Sequence, residues 1–417
     1  MYKKTVLDNG LTIVTEEIPF FQSASIGIWA NTGSKNENEK NNGISHFIEH
    51  MLFKGTPTRT ASDIAELMDG VGGQMNAFTG KEQTCFYVRL MSQHIDLALD
   101  LLFDMLLNST FNQVELDRER TVILDEIKMY EDSPEDMIMD IFNGIVWKNS
   151  SLGRPVIGNE ETVSSLTRDN LFGYMKEYYT ADNLIVSATG NVKHDDFVKN
   201  VEKYSSKLIP TAKRNKAEHL ISEKHFKVKS KDIEQVHFIL GREGLAQSSG
   251  DKYVLTLLDS ILGASASSRI FQEVREKRGL AYAIGSFASY LKDTGLFGIV
   301  AGTSPKFLEE VIQLSCSISE DMRKNGITPE EFTRAKEQLK GNLALSFEST
   351  SARMIHLART EYYHNRFISL EEIFNKIDSV TKEQIEQLAS KMLVTSEWSA
   401  CVLGNVDKDF DLKSLVK

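Results

Sequence analysis

The chain has 417 residues, 41% of them hydrophobic, and a formal net charge of -11. That length and apolar content suffice for two or three cores, and the acidic balance argues against nucleic acid and anionic membrane surfaces, both of which attract basic patches. No apolar run reaches the roughly 18 residues of a membrane span, and the N-terminal stretch lacks the apolar core of a secretory signal, so the expected location is cytoplasmic. Cys85, Cys316 and Cys401 are too few and too scattered for a disulfide framework and read as buried thiols.

Residues 3–15 predict a hairpin, because Asp8-Asn9-Gly10 sits between the alternating runs Thr5-Val6-Leu7 and Leu11-Thr12-Ile13-Val14. A strand follows around Ser25–Trp29, then a polar loop from Asn31 to Asn42. The next stretch, GISHFIEHMLFKG from Gly43 to Gly55, reads as a helix that Gly55 and Pro57 stop. Offsets of three and four place His46, Glu49 and His50 on one face of that helix, with neighbouring Cβ atoms about 5–6 Å apart. Two imidazoles one turn apart suit a single Zn²⁺, and a glutamate beside the second can reach a metal-bound water. With Phe47, Ile48, Met51, Leu52 and Phe53 around them, the same residues also fit an amphipathic core helix that carries two histidines incidentally.

A short helix is expected over about Ser62–Asp69, with Thr60 and Asp63 at capping-box spacing and Gly70, Gly72 and Gly73 ending it. Gln74–Thr79 and Thr84–Leu90 read as two strands joined by a turn through Gly80-Lys81-Glu82. Ile95, Leu99, Leu102 and Leu106 mark a core-facing helix, and Asn112–Glu131 a long charged one. In the charged helix Glu119 and Glu126 share a face, separated by about 10.5 Å along the axis. One of them can be a third metal ligand while the other orients a histidine from outside the ligand set. Taken alone, the pair also fits a solvated helix face.

The later chain is best read through an internal repeat. Thr167 precedes the triplet Gly190-Asn191-Val192 by 23 residues (190 minus 167), and Thr381 precedes Gly404-Asn405-Val406 by the same 23 (404 minus 381). A helical run and then a strand fill both intervals. The offset of 214 (404 minus 190) lays the strand around Ile26 on one around Leu240, and sets Ser260, Gly263 and Ala264 opposite His46, Glu49 and His50. The expected organisation is an N-terminal metal-binding α+β domain over 1–204, a polar linker over 205–224, and a homologous α+β domain without a metal site over 225–417. Each is expected to be an antiparallel sheet flanked by helices.

On these residues the chain resembles the pitrilysin-type zinc peptidases, the inverzincins, in particular the branch of mitochondrial processing peptidase and its bacterial relatives. His46-Phe47-Ile48-Glu49-His50 is their H-x-x-E-H pattern. The resemblance extends over essentially the whole length. It also rests on Gly72-Gly73 to Thr79, Arg118-Glu119 followed by Glu126, LGRPVIG from Leu152 to Gly158, the two Gly-Asn-Val strands, and REKRGLAY from Arg275 to Tyr282.

The resemblance implies one zinc ion per chain held by His46, His50 and Glu126, and Glu49 as the general base. It puts Glu119 just outside the ligand set and Tyr282 as a second donor to the developing oxyanion. Arg275 would hold the substrate backbone, and Asn76, Ala77 and Phe78 would form an edge to which an extended peptide adds as a strand. Three protein ligands leave a fourth zinc position for water, whose pKa falls to about 7, and Glu49 would take its proton and later pass it to the leaving amine. The family's full enzyme is a clamshell of four such domains, so two per chain imply half a clamshell. A homodimer follows, in which Arg275 and Tyr282 serve the partner chain's zinc site, although a heterodimer with an inactive relative also occurs in the family. The expected function is zinc-dependent hydrolysis of peptides. The alternatives are a catalytically silent structural or partner subunit and a specific presequence-type processing peptidase.

Overall fold

In the computed structural model, which describes residues 1–211, 222 and 224–416, the alternating runs at the chain start pair as β1 (Tyr2–Val6) and β2 (Thr12–Glu17). The Gly10 N–H closes their turn on the Leu7 carbonyl at 2.8 Å. β3 (Ser23–Ala30), β4 (Gln74–Thr79), β5 (Thr84–Met91) and β6 (Leu184–Gly190) complete a first sheet of order β1-β2-β6-β3-β5-β4. A second sheet has the order β7-β11-β8-β10-β9, built from β7 (Phe226–Ser230), β8 (Val236–Glu243), β9 (Ala281–Tyr290), β10 (Gly295–Thr303) and β11 (Ser399–Gly404). The architecture is α+β. The expected antiparallel pairing needs one amendment in each sheet, because β2 runs parallel to β6 and β7 parallel to β11. Both partners arrive after long helical connections, and a strand delivered by a crossover is free of the antiparallel constraint that a hairpin imposes.

The helices that bear on the site and on the duplication are, in chain order, α1 (Ile44–Leu52), α2 (Ala61–Gly70), α3 (Ile95–Asn108), α4 (Gln113–Asp132), α5 (Pro134–Val146), α6 (Arg168–Tyr178), α7 (Lys252–Leu262), α8 (Thr350–His364) and α9 (Lys382–Met392). Thr60 and Asp63 form the expected capping box at the start of α2. Thr167 and Thr381 cap α6 and α9 with boxes of the same kind, so the repeated threonines are repeated helix starts. Among the described residues no helix is long and apolar enough to cross a membrane.

The duplication holds with a slip in one strand. Ala188 of β6 and Val402 of β11 are counterparts at the offset of the Gly-Asn-Val triplets; Ala188 pairs with Ile26, while Val402 pairs with Phe238 and not with Leu240. Two residues is the smallest slip that keeps the same side chains facing the core, since alternation along a strand has period two. Ile26 and Phe238 are both fully buried.

Packing divides the chain into two compact units that cut across the linear repeat. The first comprises Met1–Met129, Arg154–His219 and Ser346–Ile368; the second comprises Tyr130–Gly153, Leu220–Leu345 and Ser369–Lys417. Each sequence half thus lends one helix to the other. In the first unit α8 covers the sheet face opposite α1, where Met354, Leu357 and Ala358 pack on Val14, Trp29, Cys85 and Ile185. Ser25 and Thr350 link the two layers through their hydroxyls at 2.8 Å. In the second unit Ile138 and Phe142 of α5 pack on Ile239, Cys401 and Leu403. A sheet covered on both faces buries both side-chain sets of its central strands, which is why β3 and β11 read as nearly continuous apolar runs. Of the polar linker expected over 205–224, residues 212–221 and 223 lie outside the described residues.

Candidate metal centre

The Gly43–Gly55 stretch forms a core helix that also carries a half-buried polar face. α1 buries Ile44, Phe47, Ile48, Met51 and Leu52 in the first unit's core and keeps His46, Glu49 and His50 on its half-buried face. Helical spacing makes that division possible, since positions three and four apart share a side. Opposite them stands α4, whose Glu126 and Glu119 point the same way two turns apart.

Glu126 Oε2 lies 3.6 Å from His50 Nε2 and 3.8 Å from His46 Nε2. One nitrogen of each histidine and one oxygen of Glu126 all lie within 4.8 Å of one another. The two imidazoles meet edge to face, with ring centroids 4.7 Å apart. His50 turns its other nitrogen to Glu119, Nδ1 to Oε2 at 3.0 Å, and the second oxygen of Glu119 takes the Lys54 ammonium at 2.7 Å. Glu119 is therefore in place to fix the ring orientation of His50.

Burial, and then the neighbouring His50, pushes the His46 pKa down to about 3. The imidazole is thus neutral at physiological pH, the form that binds metal. Two imidazole nitrogens and one carboxylate oxygen are a donor set that suits zinc. Glu49 stands beside them. Burial raises its pKa above the ordinary carboxylate range, opposed by a hydrogen bond of 2.5 Å that its Oε2 accepts from the Thr79 hydroxyl. A carboxylate whose pKa is drawn toward neutrality is better matched to moving protons in both directions.

Thr79 ends β4, which is the outermost strand of the first sheet. Asn76, Ala77 and Phe78 precede it on that edge, and the Asn76 side chain accepts a 2.8 Å hydrogen bond from the Ala77 N–H. Arg275 and Tyr282 belong to the second unit, and the structure brings these two together. The Arg275 guanidinium lies 5.8 Å from the Tyr282 ring centre and 4.9 Å from that of Phe271, and Tyr282 is 77% exposed. Arg275 sits in a π-helical turn, Phe271–Glu276, an irregularity often found at functional sites.

Sequence reading missed Thr79 and Lys54. Lys54 follows His50 by four residues and so had a helical signal, whereas nothing local marks Thr79 as a partner of Glu49. In the second unit α7 ends at Leu262, so Gly263 and Ala264, the expected counterparts of Glu49 and His50, fall beyond the helix, and Leu258, Ile261 and Leu262 are buried.

Residues 12–160 match the family model described as insulinase (peptidase family M16), and residues 165–339 match that of the peptidase M16 inactive domain. An uncharacterized zinc protease of Bacillus subtilis, YmxG, is 40% identical over 404 residues, covering 97% of this chain and 98% of the relative. The chain belongs to peptidase family M16. An uncharacterized zinc protease of Mycobacterium tuberculosis strain H37Rv is 38% identical over 407 residues, 96% of this chain and 93% of its own. The M16 fold is shared with a crystal structure of a peptidase M16 inactive domain from Pseudomonas fluorescens, at a TM-score of 0.91 and 19% identity over 98% of both chains. A protease from Helicobacter pylori has a TM-score of 0.89 at 21% identity, over 97% of this chain and 99% of its own. Within this M16 chain, the inactive-domain model covers α7, the helix with no ligand residues.

Proposed function

We propose that this chain is a zinc-dependent endopeptidase and that His46, His50 and Glu126 hold its single zinc ion. The observation that carries the reading is the convergence of those three donors within 4.8 Å beside the half-buried Glu49. A zinc ion held there supplies Lewis-acid polarisation of the scissile carbonyl and makes water acidic enough to ionise near neutral pH. Glu49 removes the proton of the attacking water and returns it to the leaving nitrogen. Thr79 aims the Glu49 carboxylate, and Glu119, anchored by Lys54, aims His50.

An extended peptide adds to the free edge of β4 along Asn76, Ala77 and Phe78, taking the Ala77 N–H from the Asn76 side chain. That path ends at Thr79 and so beside Glu49. Tyr282 and Arg275 act as oxyanion donor and backbone clamp, each pair serving the zinc site of a second copy of the chain. What supports this part is their pairing in the second unit and the exposure of Tyr282, together with the family resemblance.

Purified wild type and Glu49→Gln, analysed for bound zinc and assayed on quenched fluorescent peptides with and without chelator, test the reading. Cleavage abolished by chelation, with Glu49→Gln retaining its zinc and losing on the order of 10²–10⁴ in rate, is the expected result. Zinc-loaded wild type that cleaves no peptide would instead assign the chain a structural role.

A further inference from the structure

The loop that delivers the chain to α1 carries a carboxylate that the proposed chemistry does not use. Glu37 is 4% exposed. Its oxygens accept hydrogen bonds from Asn42 Nδ2 at 2.9 Å, the Gly43 N–H at 2.7 Å and the Ser45 N–H at 2.9 Å. Gly43 is the residue before the first turn of α1 and has no side chain with which to cap it, and no side chain at that position does so. Glu37 caps the helix from outside instead, satisfying N–H groups that the first turn leaves without intrahelical partners. Its charge also sits at the positive end of the helix. Holding a carboxylate so far from water is costly, and burial raises the Glu37 pKa in spite of these bonds.

The segment Arg154 to Gly158, the part of LGRPVIG that belongs to the first unit, locks this loop in place. Arg154 Nη2 donates to the Glu37 carbonyl at 2.5 Å, and Asn42 Nδ2 also donates to the Pro155 carbonyl at 2.9 Å. Gly43 and Gly158, with φ of +95° and +83°, lie so close that a Cβ on either would stand 2.9 Å from the other's Cα. Neither position admits another residue without moving the backbone. The first turn of α1 is thereby held from three sides, and Ser45 immediately precedes His46. A first turn left loose would free the backbone that carries His46 and loosen the turn from which His50 follows, and with it their aim at Glu126.

We propose that Glu37 is a positioning residue of the metal centre: its buried carboxylate, bonded by Asn42 and carried on a main chain that Arg154 clamps at the Glu37 carbonyl, fixes the start of α1 and so aims His46 and His50 at Glu126. The link to metal rests on the function proposed above, whereas the fixing of α1 is a property of the metal-free chain.

The test compares Glu37→Gln, Asn42→Ala and Glu361→Gln with wild type. Glu361 is a buried carboxylate of α8 that pairs with Lys4, so its variant controls for loss of a buried charge elsewhere in the same unit. In metal-free protein, Glu37→Gln is expected to speed amide hydrogen exchange in the first turns of α1 about tenfold, and Asn42→Ala about fivefold. Zinc affinity, read by chelator competition, falls roughly tenfold for Glu37→Gln. Glu361→Gln changes neither readout, whatever it does to the melting temperature. Wild-type exchange in α1 in the Glu37 and Asn42 variants would overturn the proposal, as would faster exchange with unchanged zinc affinity. If Glu37→Gln fails to fold, the two readouts on Asn42→Ala decide. A wild type that binds no zinc would sink the peptidase reading, and the exchange measurement would still establish or remove the role of Glu37.

Discussion

α1 and α7 occupy corresponding places in their units, each packed beside the two-stranded hairpin that ends its sheet, β4–β5 in one and β9–β10 in the other. α1 spends one face on the core and the other on His46, Glu49 and His50. α7 buries Leu258, Ile261 and Leu262, and its buried acid, Asp259, bonds the Ser286 hydroxyl of β9 at 2.5 Å. The same scaffold therefore folds with or without ligand residues, because the apolar stripe provides the packing in both cases. The candidate metal centre is an addition to the half-buried face of a helix whose other face already holds the domain together.

The sharpest way to break this comparison is to remove a ligand and a core residue in parallel. His50→Ala is expected to abolish stoichiometric zinc binding and to lower peptide cleavage on the order of 10³-fold or more. Leu262→Ala in α7 leaves zinc content unchanged and costs about 2–5 kcal/mol of stability. Metal analysis and urea unfolding of the two variants separate the roles; zinc loss in the α7 variant would mean that the helices are not independent.

The buried acid of α7 sharpens it further. Burial raises the Asp259 pKa from the ordinary 3.8 to about 6, so the folded unit favours the protonated form. Its contribution to stability is complete below about pH 4 and is lost as pH rises through about 6, a loss of roughly 3 kcal/mol by linkage. Asp259→Asn should remove that slope, which urea unfolding of variant and wild type at pH 4 and pH 7 would show as a difference in stability that changes with pH. A constant difference would mean that Asp259 titrates alike in the folded and unfolded chains.

The smallest expected effect concerns Glu119. Glu119→Gln keeps the hydrogen bond to His50 but drops the charge that Lys54 balances, and zinc affinity should fall roughly tenfold with kcat less affected than metal retention. Competition with a chromogenic chelator measures the first and peptide assay at saturating zinc the second. Unchanged affinity would leave Glu119 as a partner of Lys54 only.

Much of this was legible in the sequence because it is local. The period of α1, the hairpin turns at Gly10 and Gly80, the capping threonine Thr60 and the helical runs that follow Thr167 and Thr381 are set by residues within a few positions of one another, where steric and hydrogen-bonding preferences act directly. His46, Glu49 and His50 were legible as one helix face, and Glu119 and Glu126 as two candidates for a third donor, since helical spacing fixes which side chains share a face; only the family resemblance chose between the two glutamates. Other features depend on elements far apart in the chain. The exchange of α5 and α8, the parallel pairs β2–β6 and β7–β11, the two-residue slip that matches Phe238 with Ile26, and the contacts of Thr79 with Glu49 and of Glu37 with α1 carry no local signature. The sequence by itself determined the helices, the turns and the chemistry of the donor residues; tertiary structure alone decided which helix covers which sheet and which groups hold the donors in place. Packing complementarity between distant segments, rather than backbone preference within one, makes those choices.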